Sequence, residues 1–224
     1  MTGSRQSLAQ TVEEFIKIST SISTERDLNR LLNMIVTSAR TLTHSEGGRI
    51  YVLDNTKRNL VLEVCQNDCI GSEQQCLQSV PLVVGDRQNS ANICVYAAYT
   101  GQLIKVSDVY RYSGFDFSDL YEYDRACNYR TKSLLTVPLR SHEGITIGVL
   151  QLLNPRDPGT NKLVSFSDDM DTLVMAFASQ AAVSLDNVQL IEKNCYLIEV
   201  LDHTNQILEM ENRRLLGQIE ERSR

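Results

Sequence analysis

No tryptophan occurs in the 224 residues, and only four prolines and three histidines do. His44, His142 and His203 fall in a predicted helix end, a turn and the C-terminal coil, so the sequence offers no convergent histidine set for metal or acid–base chemistry. No proline follows Pro158, so nothing interrupts a helix in the last stretch of chain. No apolar run approaches the ~18–20 residues that span a bilayer. The polar start Met1-Thr2-Gly3-Ser4-Arg5-Gln6-Ser7 lacks the apolar stretch of a secretory signal. The cytoplasm is the expected location. Basic residues are in deficit, 22 Lys+Arg against 28 Asp+Glu, which leaves a net charge of −6 and no basis for a nucleic-acid-binding face. The G-x-x-x-x-G-K-[ST] and G-x-G-x-x-G phosphate motifs are missing, as are G-x-S-x-G and H-E-x-x-H. With 42% hydrophobic and 22% charged residues, what remains is a soluble globular class.

Cys65, Cys69, Cys76, Cys94, Cys127 and Cys195 are an even set, but a chain of this size without a secretory signal is not a disulfide scaffold. The run Cys65-x3-Cys69-x6-Cys76 departs from the C-x2-C pair of common zinc sites, and Cys65 sits in an alternating strand pattern. No metal or iron–sulfur site is expected there.

Leu8, Val12, Phe15, Ile16 and Ile18 recur near helical spacing and predict a helix over 8–22. Thr24 and Asp27 fit a capping box for a second helix, with Leu28, Leu31, Leu32, Ile35, Val36 and Ala39 on one face and an end near His44, before Gly47-Gly48. Arg49 to Leu53 and Leu60 to Val64 flank a turn and read as a hairpin. Val80 to Val84 is a third strand, set at an edge or strand start by Pro81. Ser90 to Thr100 reads as a short helix stopped by Gly101, and Leu103 to Val106 as a fourth strand. Tyr110 to Asn128 reads as a long loop, aromatic and acidic at Asp116, Asp119, Glu122 and Asp124; loops of that length in compact domains are usually functional. Ser133 to Leu139 and Ile145 to Leu153 are apolar almost throughout, which predicts a hairpin of strands buried on both faces. From Phe166 one long helix begins, with Ser167-Asp168-Asp169 suited to the positive end of its dipole.

A heptad emerges from Ile198. Ile198, Asn205, Asn212 and Ile219 take position a; Leu201, Leu208 and Leu215 take position d. That narrow seam predicts a parallel two-stranded coiled coil over 191–222, with the asparagines fixing register. A single amphipathic helix on its own domain is the alternative. Gly217 weakens the helix by about 1 kcal/mol. His203 falls at the solvent-facing f position, and the Thr-Asn-Gln after it does not match a sensor-kinase box.

One stretch goes beyond secondary structure. Thr100-Gly101-Gln102-Leu103 is followed by Asp108-Val109-Tyr110, then by Tyr129-Arg130-Thr131-Lys132-Ser133-Leu134-Leu135-Thr136-Val137-Pro138-Leu139. A turn at His142-Glu143-Gly144 leads into Ile145 to Asn154. In this order the segments resemble a GAF domain, the regulatory small-molecule-binding module of cyclic-nucleotide phosphodiesterases, bacterial adenylyl cyclases and many bacterial sensors. The resemblance covers roughly Asp27 to Leu190. It implies an α/β (α+β) fold with a central antiparallel sheet of about six strands, helices on both faces and a long C-terminal coiled-coil helix. It divides the chain into a dimerising N-terminal helix (1–24), the GAF domain (25–190) and a signalling helix (191–224) leading to an output domain.

The same resemblance implies a ligand between the sheet and a lid before the last hairpin. Asp108 and Tyr110 match the family's Asp-Ala-Tyr element, and Thr131 with Ser133 matches its Thr-Arg-Asn element. Ile93 and Ala97 fall on the lid helix, and Asp124 in the lid loop. A tyrosine can stack on a flat ligand, and a hydroxyl can hold an anionic group. The plainer alternatives are that Tyr110 plugs the core, Asp108 caps a turn and Thr131 enters a strand. Cyclic-nucleotide-binding members carry Asn-Lys, then Phe, then Asp-Glu; here the residues are Asn154-Pro155, Phe166 and Met170-Asp171. Both members of the family's lysine–aspartate pair are absent together, so neither strands the other.

The expected function is therefore a dimeric sensory domain of a bacterial signal-transduction protein, not an enzyme in itself, with no cofactor indicated. Three alternatives accompany it. One is a cyclic-nucleotide-binding domain. Another is a free methionine-sulfoxide reductase of the GAF type, with Cys94 and Cys127 as its thiols. The last is a chromophore sensor attached at Cys127, although Asn128 breaks the usual Cys-His pair.

Overall fold

The computed structural model describes Glu13, residues 15–69 and residues 79–222, with side chains to residue 214. It divides into two compact units, Met1–Asp186 and Asn187–Arg224. Within the first unit, residues 15–24 form helix α1, whose Ile22 is buried. Leu8 and Val12 of the expected first helix lie outside the described residues.

Helix α2 (Leu28–Thr43) buries Leu31, Leu32, Ile35, Val36 and Ala39, the stripe predicted from spacing. Its N-cap is Asp27, not Thr24: the carboxylate accepts the Arg30 amide at 2.8 Å. His44 closes the helix in the left-handed region, φ 52°. Strand β1 (Ser45–Leu53) then begins four residues before the expected start. Gly47 and Gly48, read as a spacer, are strand residues. A Cβ on Gly48 would lie 2.8 Å from Val36 Cγ1, so only glycine lets α2 lie this close to the sheet.

β2 (Asn59–Asn67) completes the first hairpin. The expected third strand is split by a bend into β3 (Ser79–Pro81) and β4 (Val83–Val84), and β4 pairs with β5 (Arg87–Gln88) in a small separate ribbon. Helix α3 (Ile93–Thr100) is capped by the Asn92 side chain and stopped by Gly101, φ 66°. β6 (Ile104–Val106), β7 (Leu134–Arg140) and β8 (Thr146–Pro155) complete a six-stranded sheet of order β3-β2-β1-β8-β7-β6, every neighbour antiparallel.

The segment 110–128 is not one loop. Ser118–Ala126 is helix α4. Its N-cap residue, Phe117, makes no side-chain cap bond, and the Asp116 carboxylate one residue earlier accepts the Ser118 amide instead at 2.9 Å. The helix is held by tertiary burial of Leu120 and Asp124, one turn apart. After Ser167, which caps as expected, a 3-10 turn (Asp168–Met170) leads into α5 (Asp171–Arg222). Inside the first unit α5 buries Val174, Phe177, Ala178, Ala181, Ala182 and Leu185, and Gln180 donates to Ser23 of α1 at 2.7 Å.

Strand alternation sorts the sheet residues onto two faces. Gly48 and Ile50 face α2, and through the register so do Leu150 and Val137. Tyr51, Leu62, Leu134, Val149 and Leu153 join the opposite cluster with Ile93, Cys94, Val95, Val109, Phe117 and Leu120. This second face is covered by α3, α4 and the segment between them, which together form the lid.

In the second unit α5 exposes Ile198, Leu201 and Leu208, each more than half accessible. The side chains of Leu215 and Ile219 lie outside the described residues. No described helix is long and apolar enough to cross a membrane.

Candidate ligand site beneath the lid

The lid is pinned by one buried carboxylate. Asp124, 1% exposed on α4, accepts from the Thr131 amide at 2.7 Å, the Thr131 hydroxyl at 2.9 Å and the Tyr110 hydroxyl at 2.9 Å. Three donors meet the cost of burying the charge, which would otherwise amount to several kcal/mol. Burial, and then the bond to Asp124, raises Tyr110 above the usual tyrosine value, so the phenol stays protonated and donates. Its ring lies 4.7 Å from Tyr121, and the Arg130 guanidinium sits 4.4 Å from its centroid. Tyr96, Tyr112, Phe115 and Phe117 extend this aromatic surface.

Of the residues expected at a ligand site, Tyr110, Asp124 and Thr131 are thus bonded to one another. Asp108 lies at their edge and accepts the Tyr110 amide at 3.0 Å in a tight turn. Ile93 and Ala97 are buried on α3. Ser133 lies apart, with its hydroxyl on the Val164 carbonyl and its amide on the Asn154 side chain.

Asn154 anchors a further network. Its carbonyl oxygen accepts from the Lys132 and Ser133 amides, and its amide nitrogen reaches Glu46, Tyr129 and the Arg130 carbonyl. Glu46, 5% exposed, also pairs with Arg156. Burial, and then Glu46, holds Tyr129 as a neutral phenol that donates at 2.7 Å. Two ion pairs therefore stand near the positions where the family's lysine and aspartate are missing: Arg156 with Glu46, and Lys105 of β6 with Asp168 and Asp171 at the start of α5. A nearby cleft of about 590 Å³ carries Arg40 paired with Asp68 and Arg156 paired with Glu46.

The floor under the lid holds residues that sequence reasoning missed. Cys65, Arg49, Gln151 and Thr136 lie in register across β2, β1, β8 and β7 and form a polar row through the middle of an apolar face. Arg49 is 6% exposed, Gln151 4% and Thr136 0%. Gln151 approaches the Thr136 hydroxyl at 3.4 Å. The Arg49 guanidinium sits 4.2 Å from the Tyr123 ring of α4, and its Nε and Nη2 have no hydrogen-bond partner among the described residues. A cation–π contact contributes about 0.5–2 kcal/mol, less than the several kcal/mol lost when an ion leaves water. A signal was available for one member of this row: Gln151 is a polar residue inside a strand that otherwise reads as buried.

Cys94 is 3% exposed, and burial pushes its thiol up to about 12. The described residues contain no group of three potential metal ligands, and Cys76 lies outside them.

The GAF domain family matches residues 27–185. The chain belongs to this family. Among curated proteins it is similar to cGMP-specific 3',5'-cyclic phosphodiesterases of Drosophila melanogaster and Drosophila pseudoobscura pseudoobscura, each 23% identical over 185 residues and 80% of this chain. The chain spans 16% of the length of these relatives. Solved structures share the fold. The GAF domain of an Acinetobacter phosphoenolpyruvate-protein phosphotransferase superposes with a TM-score of 0.61 at 14% identity, covering 82% of this chain and 98% of the other. Free methionine-R-sulfoxide reductase from Neisseria meningitidis, solved with its substrate, gives 0.59 at 19% identity over 82% and 92%. GAF domains are in general regulatory, and this one carries the family's sheet and lid.

Proposed function

We propose that this chain is the sensory domain of a dimeric signal-transduction protein that works in the cytoplasm. A small molecule enters between the lid and the sheet, replaces the bonds among Tyr110, Asp124 and Thr131, and releases α4. The observation that carries this reading is the buried polar row beneath an aromatic lid held by hydrogen bonds that a ligand can take over. Tyr110 follows β6 closely, and Lys105 of β6 grips Asp171 at the start of α5, so movement of the lid has a short route to that helix. α5 would then pass the displacement to an output domain. Because fly phosphodiesterases and bacterial sensors share the family, the role does not depend on a bacterial host.

The exposed seam of Ile198, Leu201 and Leu208, with Asn205 and Asn212 at a positions, supports a parallel homodimer through residues 191–222, joined by the N-terminal helix. Sedimentation at tens of micromolar should show a dimer. Replacing Leu201 and Leu208 with aspartate should give monomers whose globular part melts as before; a monomeric parent protein would remove the dimer from the proposal.

The fly relatives are named for cGMP, yet neither cyclic AMP nor cyclic GMP is the proposed ligand. The donors of Thr131, which would meet a phosphate, are held by the Asp124 carboxylate. The family's lysine–aspartate pair is also missing at Pro155 and Met170. Calorimetry should detect no tight binding. A dissociation constant near 1 µM, about −8 kcal/mol, that weakens about tenfold in Thr131→Ala would restore the cyclic-nucleotide reading. The reductase reading is weakened at Cys94, whose burial raises its thiol and disfavours the thiolate, and would have to rest on Cys127.

A further inference from the structure

Arg49 differs from the other buried charges in the first unit. Asp124 has three donors, and Glu46 has Tyr129, Asn154 and Arg156. Arg49 keeps Nε and Nη2 without an acceptor among the described residues, although it is 94% buried. Those two nitrogens form one edge of the guanidinium. Their N–H bonds run side by side, the fork that grips two oxygens of one anion. Arginine does not shed its proton, so the charge cannot be relieved by neutralisation. Tyr123 supplies a ring beside the guanidinium but no acceptor for that fork.

We propose that Arg49 anchors a small-molecule carboxylate that binds beneath α4, its two oxygens on Nε and Nη2 and its flat body where the Tyr123 ring now lies. This rests on the ligand site proposed above and specifies its chemistry. Charge selects the class. The polar row supplies one cation, Arg49, beside Cys65, Gln151 and Thr136, and the Asp124 carboxylate is already met by its own three donors. A monoanion balances that site; a phosphate dianion leaves one charge buried and unmatched. Tyr51, kept as a neutral phenol foremost by burial, offers aromatic surface to a flat body. Gln151 and Thr136, next in register, offer an amide and a hydroxyl to a second polar group on the ligand.

Benzoate, with benzamide as its neutral isostere and inorganic phosphate as the competing anion, tests this on the full chain. The Arg49 Nε–H resonance, identified by its loss in Arg49→Met, should shift saturably with benzoate and stay still with benzamide and phosphate. Calorimetry should show benzoate binding weakened about tenfold or more, about 1.4 kcal/mol, in both Arg49→Met and Arg49→Lys, the latter keeping the charge but losing the fork. Arg49→Met should melt no lower than the parent protein, which establishes that its fold is intact. An Arg49 resonance that ignores millimolar benzoate, or Arg49→Met binding benzoate as well as the parent does, overturns the anchor. An equal response to phosphate overturns the carboxylate assignment. Hydrogen exchange at α4 separates this from the broader reading. If benzoate and benzamide protect α4 alike without moving Arg49, the ligand site stands and the anchor falls. If neither compound changes α4 or Arg49, the anchor falls without support for the site.

Discussion

The two faces of the sheet are built from the same strands, one residue out of step, and they do opposite things. Toward α2, the register brings Ile50, Leu150 and Val137 together in a fully buried apolar contact layer. Toward the lid, the next residues in the same three strands are Arg49, Gln151 and Thr136. Dispersion and water exclusion hold the first face with no directional demand. The second buries polar groups that require partners, and one of them, Arg49, leaves Nε and Nη2 without an acceptor among the described residues. Alternation along a strand thus lets one sheet carry an unbroken apolar layer on one side and a polar row on the other.

The largest expected effect tests the apolar side. Leu150→Ala removes a fully buried side chain from the centre of the α2 face and should lower stability by about 2–5 kcal/mol. Denaturant unfolding should show the whole first unit losing that stability in one transition. On the other side, Asp124→Ala strands the Thr131 amide and hydroxyl and the Tyr110 hydroxyl, at about 1–3 kcal/mol. This loss should be local: hydrogen exchange should quicken at α4 and residues 129–133 while β1 and β8 keep their protection. If Asp124→Ala instead accelerates exchange evenly across both faces, the lid is no separate unit and the contrast between the faces fails.

The apolar face was legible in the sequence, and the polar one largely was not. Leu31, Leu32, Ile35 and Val36 announce α2 because helical spacing is a local property. Ser133 to Leu139 and Ile145 to Leu153 announce the last hairpin for the same reason. Glycine at 48 hid the start of β1, since only the nearness of Val36 explains why a strand needs it. Helix α4 was missed because its N-cap position is held by Phe117, which has no capping side chain, and Asp124 is stabilised by Thr131, beyond the helix itself. The row of Cys65, Arg49, Gln151 and Thr136 is scattered over more than eighty residues, and only strand register unites it. Of the residues carried over from the family pattern, Tyr110 and Thr131 do meet, through Asp124, which the pattern did not name as their link.

The smallest effect comes from pH. The lid face holds Cys94, Tyr51 and Tyr123, each shifted upward foremost by burial, whereas Ile50, Leu150 and Val137 on the α2 face have nothing to titrate. Cys94 goes from its ordinary value of 9.0 to about 12. Above the unfolded value the unfolded chain releases this proton while the folded chain keeps it. Folded protein then binds more protons than unfolded, so the stability slope with pH is negative. The contribution is fully present below about pH 9 and is lost progressively as pH rises toward about 12, by at most about 1.4 kcal/mol per unit. Thermal melts of the parent protein between pH 8 and 10.5 should therefore show a falling midpoint that is shallower in Cys94→Ala. The early exchange-competent region at the alkaline end should be α3 and α4, not α2. An alkaline slope unchanged by Cys94→Ala would mean that the thiol is solvated through an open lid, and the closed lid face would have to be given up as the resting state.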